Sequence, residues 1–247
     1  MQTKVYRMKT FRYEITDSTN TRAREYAKEH FADEPVLFVA DAQSAGRGRR
    51  GRSFDSQKGG GLYLSFLFKP TGQECDAARI TVRAAVALAR ALERVVGLSV
   101  CIKWVNDITV GGKKLAGILT EGEICENGGF KYAVCGIGVN LYSREFSPEL
   151  ADIVTTVEDC IGIKTDKDAL LEALTEEFFS ESAFSEIIGE YRKRSSVIGR
   201  RVEVRRISGE VFSAKAIAIT DSAALLVETE DGRREELISA EVSVRAK

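Results

Sequence analysis

A single histidine, His30, stands among the 247 residues. Histidine chemistry runs on partnered rings, as proton shuttle or metal ligand. A histidine triad or histidine zinc centre therefore has nothing to be built from, and catalysis has to run on Lys, Arg, Asn, Asp and a borrowed metal. Cysteine is scarce and unpatterned: positions 75, 101, 125, 135 and 160 are odd in number, widely spaced and never form CxxC. Such thiols read as reduced and mostly buried rather than as disulfide staples or zinc ligands. No apolar run approaches the roughly 20 residues of a membrane helix, and no apolar signal core follows Met1. Those absences predict a cytoplasmic protein with no membrane partner. A charge excess is missing too, since 36 Lys and Arg face 37 Asp and Glu. That balance argues against coating nucleic acid through bulk charge.

What charge there is, is local. Arg47, Arg49, Arg50 and Arg52 fall within six residues, interleaved with Gly46, Gly48 and Gly51. Arginine is almost never buried without a partner, and like charges this close repel. Glycine lets a backbone approach a ligand, and the guanidinium fork suits carboxylate and phosphate. The stretch reads as an unpaired positive loop for an anion, mobile until a ligand supplies the missing charge and folds it over as a lid. Gly46 to Gly51 also satisfies GxGxxG, but that fingerprint needs a helix starting inside it. Residues 52–61 have no helical periodicity. A GxxxxGK[ST] phosphate loop is absent.

Along the chain, Phe11–Ile15 alternates as a short strand and Thr21–Glu29 has helical composition after the capping candidates Asp17-Ser18-Thr19-Asn20. Val36–Ala40 and Leu62–Phe68 are apolar runs of strand length. Cys75–Val96 carries Ile80, Ala84, Leu88 and Leu92 at helical spacing and ends at Gly97, which predicts a central core helix. Strands are predicted at Val100–Trp104, Ile108–Val110, Lys114–Glu123 and Tyr132–Val139, turning at Gly111-Gly112 and Asn127-Gly128-Gly129. Short turns between strands imply an antiparallel or mixed sheet rather than a doubly wound parallel one. Residues 143–163 look irregular, and one long helix is expected from about Lys167 to Arg194. From there the composition changes to short strands, a small β module of 196–247 after a main domain of 1–195. The clusters Arg192-Lys193-Arg194 and Arg200-Arg201 read as a solvated boundary.

Five motifs occur in order: Asp17-Ser18-Thr19-Asn20, Gln43 through Arg52, Lys103-Trp104-Val105-Asn106-Asp107, Lys113 through Leu119, and Gly136-Ile137-Gly138-Val139-Asn140. Together they resemble the biotin protein ligases, over about residues 10 to 245. The resemblance implies an α+β fold: a mixed, mainly antiparallel sheet with helices, related to class II synthetases, plus a small C-terminal SH3-like barrel. Two positions depart from the family pattern. Val105 stands where Pro is common and cannot lock φ, which implies a looser turn. Phe54 stands where Trp is common and loses an N–H donor.

The resemblance implies ATP- and Mg²⁺-dependent conversion of biotin to biotinyl-5′-AMP, then transfer to a lysine of a biotin carboxyl carrier domain. It places Ser18, Thr19, Asn20 and Gln43 on the ureido ring, with Gly46, Arg47, Gly48 and Arg49 close by. Arg49, Arg50 and Arg52 would face phosphates or the adenylate, with Lys103, Asn106 and Asn140 on the nucleotide. Lys114 would bridge biotin carboxylate and α-phosphate, with Arg47 and Arg49 also in the catalytic set. Asp107 would orient the incoming lysine amine. Gly117, Gly136 and Gly138 would let the ligand lie close to the sheet. Read from the residues alone, Ser18-Thr19-Asn20 is equally a helix cap, Lys114 a hairpin-flanking lysine and Asp107 a turn residue. Nothing in the sequence points to Mg²⁺ ligands or decides between monomer and homodimer. Only about ten residues precede the first strand, so a DNA-binding domain and a DNA partner are not expected. The alternatives are a lipoate–protein ligase, which would leave the ureido-binding residues without a partner, and a nucleic-acid-binding module.

Overall fold

The computed structural model describes residues 8–30, 34–72, 76–126 and 130–244. Cys75 and the turn expected at Asn127-Gly128-Gly129 lie outside the described residues. Strand β1 (Lys9–Thr16), helix α1 (Thr19–Glu29) and strand β2 (Val36–Gln43) open the fold. The helix returns the chain in its original direction, so β1 lies parallel to β2, Lys9 opposite Val36 and Thr16 opposite Gln43. Strand β3 (Gly61–Phe68) and helix α2 (Ala77–Val96) follow, then β4 (Cys101–Lys103), β5 (Asp107–Val110), β6 (Lys113–Ile124) and β7 (Phe130–Asn140). They complete a seven-stranded sheet ordered β1-β2-β3-β7-β6-β5-β4, antiparallel except for its first pair. The expected mixed, mainly antiparallel sheet is what forms. Gly111 and Gly112 turn the β5–β6 hairpin at φ 58 and 83, the left-handed pair that a two-residue primed turn requires.

Period-two alternation assigns the faces. Leu37 and Val39, Leu64 and Phe66, and Ile137 and Val139 join Ile80, Ala84, Leu88 and Leu92 of α2 in the main core. The opposite residues Val36, Phe38, Leu67 and Val134 pack on Ala23 of α1. α2 begins where Asp76 accepts from the Arg79 backbone N–H and ends at Gly97, φ 66.

Residues 143–163 are less irregular than expected, holding two short helices, α3 (Pro148–Ala151) and α4 (Val157–Ile161). The single long helix expected from 167 to 194 is instead two, α5 (Lys167–Phe178) and α6 (Phe184–Lys193). At the break the Arg83 guanidinium donates to Ser180 O at 3.2 Å and Ser182 O at 2.8 Å, giving those carbonyls a partner outside a helix. Phe178 meanwhile stacks on Phe66, centroids 4.8 Å apart.

Strands β8 (Arg201–Arg205), β9 (Val211–Ile219), β10 (Leu225–Thr229), β11 (Arg234–Leu237) and β12 (Glu241–Val244) form a separate antiparallel sheet ordered β11-β10-β9-β8-β12. The basic boundary before it is solvated only in part: Lys193, Arg200 and Arg201 are exposed as expected, while Arg192 and Arg194 are engaged. Arg192 donates to Ile219 O and Asp221, each at 2.6 Å, and Arg194 pairs with Glu93 and Glu190. Of the four described cysteines, all free, only Cys135 is buried and Cys101 is exposed, so the expectation of mostly buried thiols fails. His30 ends α1 with its ring stacked on Tyr26. No helix among the described residues is long and apolar enough to cross a membrane.

Candidate functional site

The α1 side of the sheet is stripped of side chains in its middle. Ala116, Ile118, Ile137 and Val139 enter the main core, so Gly117, Gly136 and Gly138 between them face the other way. A Cβ on Gly136 would sit 2.1 Å from Asn20 Oδ1, and one on Gly138 2.6 Å from the Phe54 ring. These glycines were expected to admit a ligand to the sheet. In the structure they admit two of the chain's own side chains, which then form part of a cavity wall.

The arginine stretch is a closed loop, not a helix start. Arg47 and Ser53 pair across it, Phe54 N donates to Gly46 O at 2.9 Å, and Gly48 N donates to Arg52 O at 2.7 Å. Arg49–Gly51 make one 3₁₀ turn with Arg50 at φ 56, a left-handed conformation costing a non-glycine residue about 1 kcal/mol.

The four arginines are not unpaired as expected. Arg47 meets Glu121 at 2.9 Å and Arg52 meets Glu241. Arg49 donates to Asn106 Oδ1 at 3.1 Å and Ser239 Oγ at 3.3 Å, and Arg50 to the Arg205 carbonyl at 3.2 Å. Two of the charges are thus compensated by carboxylates, while Arg49 and Arg50 meet only neutral oxygens among the described residues. Burial, with Arg50 alongside, pulls the Arg49 pKa down from its ordinary value. A guanidinium still keeps its proton there, so this end of the cavity holds under-compensated positive charge. Lys103, also on the lining, has no ion pair among the described residues.

The β5–β6 hairpin supplies the next group. Lys114 Nζ lies 2.7 Å from Asp107 Oδ1 and 5.9 Å from the Phe54 ring centre. Asn106 Nδ2 donates to Ile118 O at 3.1 Å and Asp107 Oδ1 at 3.3 Å, while its Oδ1 accepts from Arg49. The turn expected to be loose at Val105 is held from beneath. Buried Tyr191 donates to Val105 O at 2.9 Å, and Trp104 Nε1 donates to Ala223 O in the β9–β10 turn at 2.9 Å.

Ser18, Thr19 and Asn20 are buried at the start of α1. Ser18 holds the capping position but its side chain makes no cap bond, so the simple capping reading fails for the residue that would carry it. Its hydroxyl has no partner among the described residues. Gln43 Oε1 accepts from Thr19 N at 2.8 Å and Gln43 Nε2 donates to Ser56 Oγ at 2.8 Å, leaving one amide N–H unused. Asn20 is fully engaged, with Nδ2 on Glu121 Oε2 at 2.9 Å and Oδ1 2.6 Å from Ser65 Oγ.

Every site residue expected from the sequence lines this one cavity except Gly46 and Asn140. Gly46 is buried behind the loop, where a Cβ would meet Phe54 O at 2.3 Å. Asn140 is buried at the end of β7 opposite Gly61. Sequence reasoning missed Ser65, Glu121 and Glu241. Ser65 had a signal, as the one serine inside the apolar strand Leu62-Tyr63-Leu64-Ser65-Phe66-Leu67-Phe68, where a buried O–H has to find partners. Glu121 shares the bare face with Gly117 by alternation. Glu241 had none.

Residues 13–140 match the Biotin/lipoate A/B protein ligase family, and residues 197–245 the Biotin protein ligase C terminal domain. The bifunctional ligase/repressor BirA of Bacillus spizizenii is 33% identical over 239 residues, covering 94% of this chain and 72% of that protein. The biotin–[acetyl-CoA-carboxylase] ligase of Paracoccus denitrificans is 31% identical over 233 residues, covering 89% and 94%. The solved structure of the Aquifex aeolicus biotin protein ligase in complex with biotin and ATP aligns at a TM-score of 0.79 and 29% identity, covering 97% and 99%.

Proposed function

The chain belongs to the biotin/lipoate A/B protein ligase family, and from that premise we propose how its cavity performs the reaction. It is a biotin protein ligase that activates biotin with ATP and transfers it to protein. The observation that carries the reading is that the cavity has two chemically different parts. One part offers neutral groups with spare capacity, the Ser18 hydroxyl and a Gln43 N–H, which suit a ureido ring that must both donate and accept. The other offers Arg49, Arg50 and Lys103, cations without carboxylate partners, which suit the phosphates.

In the first step a carboxylate oxygen of biotin bonds to the α-phosphorus of ATP as the bond to pyrophosphate breaks. Two anions have to approach, so fixed positive charge is the main demand. Arg49 and Arg50 take the phosphate charge, and Lys114 bridges biotin carboxylate and α-phosphate. Mg²⁺ neutralises phosphate charge when bound. Among the described residues no group of three or more His, Cys, Asp or Glu is placed to hold a metal. Mg²⁺ would therefore be carried by the phosphates of ATP, where it would offset their charge.

In the second step the amine of a carrier-domain lysine attacks the acyl carbon. The amide bond forms, AMP departs with the electrons of the acyl–phosphate bond, and the amine loses a proton. Asp107 holds and orients that amine once Lys114 has turned to the adenylate. Residues 1–195 bind biotin and ATP in this reading, and 196–247, an SH3-like module, brace the Trp104–Asp107 turn. Four free cysteines among the described residues suit a reducing cytoplasm.

Pyrophosphate exchange with biotin or with lipoate, followed by transfer to a carrier-domain lysine, tests the proposal. Exchange with biotin and label on the carrier are expected. Exchange with lipoate alone overturns it.

A further inference from the structure

We propose that Glu121 is a positioning residue that sets which hydroxyls of the ureido site accept and which donate. It does so through a buried hydrogen-bond chain whose direction its carboxylate dictates. The inference rests on the biotin reading above.

Glu121 belongs to β6, on the face shared with Gly117. One oxygen, Oε1, meets Arg47 Nη2 at 2.9 Å and Arg24 Nη1 at 3.4 Å. The other, Oε2, accepts from Asn20 Nδ2 at 2.9 Å. Two guanidiniums hold the carboxylate in place, and a carboxylate only accepts. The same Asn20 nitrogen reaches the Leu119 carbonyl at 3.3 Å, a second pure acceptor. The amide of Asn20 therefore has one possible orientation, and its Oδ1 is turned to Ser65 Oγ, 2.6 Å away.

The consequence propagates by counting protons. An amide oxygen cannot donate, so Ser65 gives its only proton to Asn20 Oδ1. Ser65 Oγ also lies 2.7 Å from Thr19 Oγ1. At that separation one of the two has to donate, and Ser65 has no proton left, so Thr19 gives its own to Ser65. The longer approach of Thr19 Oγ1 to Gln43 Oε1, 3.2 Å, is then unneeded, because the Thr19 backbone N–H already serves that oxygen at 2.8 Å. Thr19, which lines the cavity, is left with a hydroxyl that can accept and cannot donate. A ureido N–H finds an acceptor there, while Ser18 and Gln43 Nε2 remain to donate to the ureido carbonyl. The chain also reaches the arginine loop at both ends, through Arg47 at Glu121 and through Ser56, which Gln43 meets and which donates to Phe54 O at 3.0 Å.

Glu121→Gln reverses the logic. A neutral amide has one acceptor oxygen, which the two guanidiniums claim, so an N–H is turned to Asn20. Asn20 flips, Ser65 accepts from it, and Thr19 presents a proton where the ligand also has one. Steady-state exchange kinetics on the full chain test this. The expected result is a biotin KM raised roughly 10- to 100-fold, the loss of one buried charge-linked hydrogen bond. The ATP KM should stay within about twofold, since Arg49, Arg50 and Lys103, the cations assigned to the phosphates, do not contact Glu121 or Ser65. Ser65→Ala breaks the chain without touching Arg47 and should give the same split. It carries the test alone if the Glu121 variant does not fold. Combined, the two should cost little more than either one, because they interrupt a single chain. An unchanged biotin KM, an equal rise in the ATP KM, or fully additive penalties each overturn the inference. Absence of biotin-dependent exchange in the unaltered chain overturns the functional reading, and this inference with it.

Discussion

Lys114 Nζ and Asp107 Oδ1 face each other at 2.7 Å across the β5–β6 hairpin, and both residues line the same cavity. A lysine that is to bridge biotin carboxylate and α-phosphate has a resting partner that must be given up or shared when substrates arrive. Releasing Asp107 at that moment leaves an acceptor ready for the amine of the second step. Lys114→Ala should slow adenylate formation by roughly 10²-fold or more, on the order of 3 kcal/mol. Asp107→Asn should instead fall mainly on transfer to the carrier lysine. Pyrophosphate exchange and single-turnover transfer separate the two steps. A Lys114→Ala enzyme that adenylates biotin at the unaltered rate refutes the assignment.

The arginine loop is tied to the second sheet by Arg52 and Glu241, whose carboxyl is held below its ordinary pKa by that hydrogen bond. Such a pair stabilises by about 0.5–1 kcal/mol. Glu241→Gln should therefore raise protease cleavage within residues 46–58 roughly two- to five-fold without ligand, because local opening sets that rate. Biotin and ATP together should restore protection by supplying charge to Arg49 and Arg50. Cleavage indifferent to both the substitution and the ligands counts against a lid.

Gly138 tests the packing of Phe54 over the bare strands. A Cβ there meets Phe54 ring carbons at 2.6 and 2.8 Å, so Gly138→Ala should destabilise by about 1–3 kcal/mol, as overpacking does. Thermal unfolding reads it, and Phe54→Ala in the same chain should recover most of the loss. If the second change makes no difference, the ring is not what fills that space.

Acid stability should report the Arg194 network. Arg194 donates to both oxygens of Glu93, at 2.8 and 2.7 Å, and this holds the carboxyl below its ordinary 4.5. A depressed folded-state value means that the contribution is complete above the unfolded pKa. It is lost as the pH falls through the folded one. The melting temperature should thus decline below about pH 5 as this and other paired carboxylates protonate. Glu93→Gln should melt lower at pH 7 and show a shallower decline. A parallel pH profile for the two proteins would remove Glu93 from the account.

Spacing in the chain was enough to place Val36–Ala40 as a buried strand, the α2 stripe of Ile80, Ala84, Leu88 and Leu92, and the Gly111-Gly112 hairpin. Each depends on neighbours a few residues away. The order of Ser18 through Asn20, Gln43, the arginine loop, Asn106-Asp107 and Lys114 carried the family resemblance that grouped them, and they line one cavity. Only the tertiary structure decided the partners. The oxygens that meet Arg49 come from Asn106 and Ser239, 57 and 190 residues away, and nothing local distinguishes Glu241 from other acidic residues. The carbonyls in the break between Phe178 and Phe184 find their partner in Arg83 of another helix. Gly136 and Gly138 were legible as places where something comes close to the sheet, but only packing showed that Asn20 and Phe54 are what comes. Alternation and helical spacing are properties of a backbone and its nearest neighbours. Which charge is neutralised, and which hydroxyl keeps its proton, is settled by atoms that only folding brings within 3 Å.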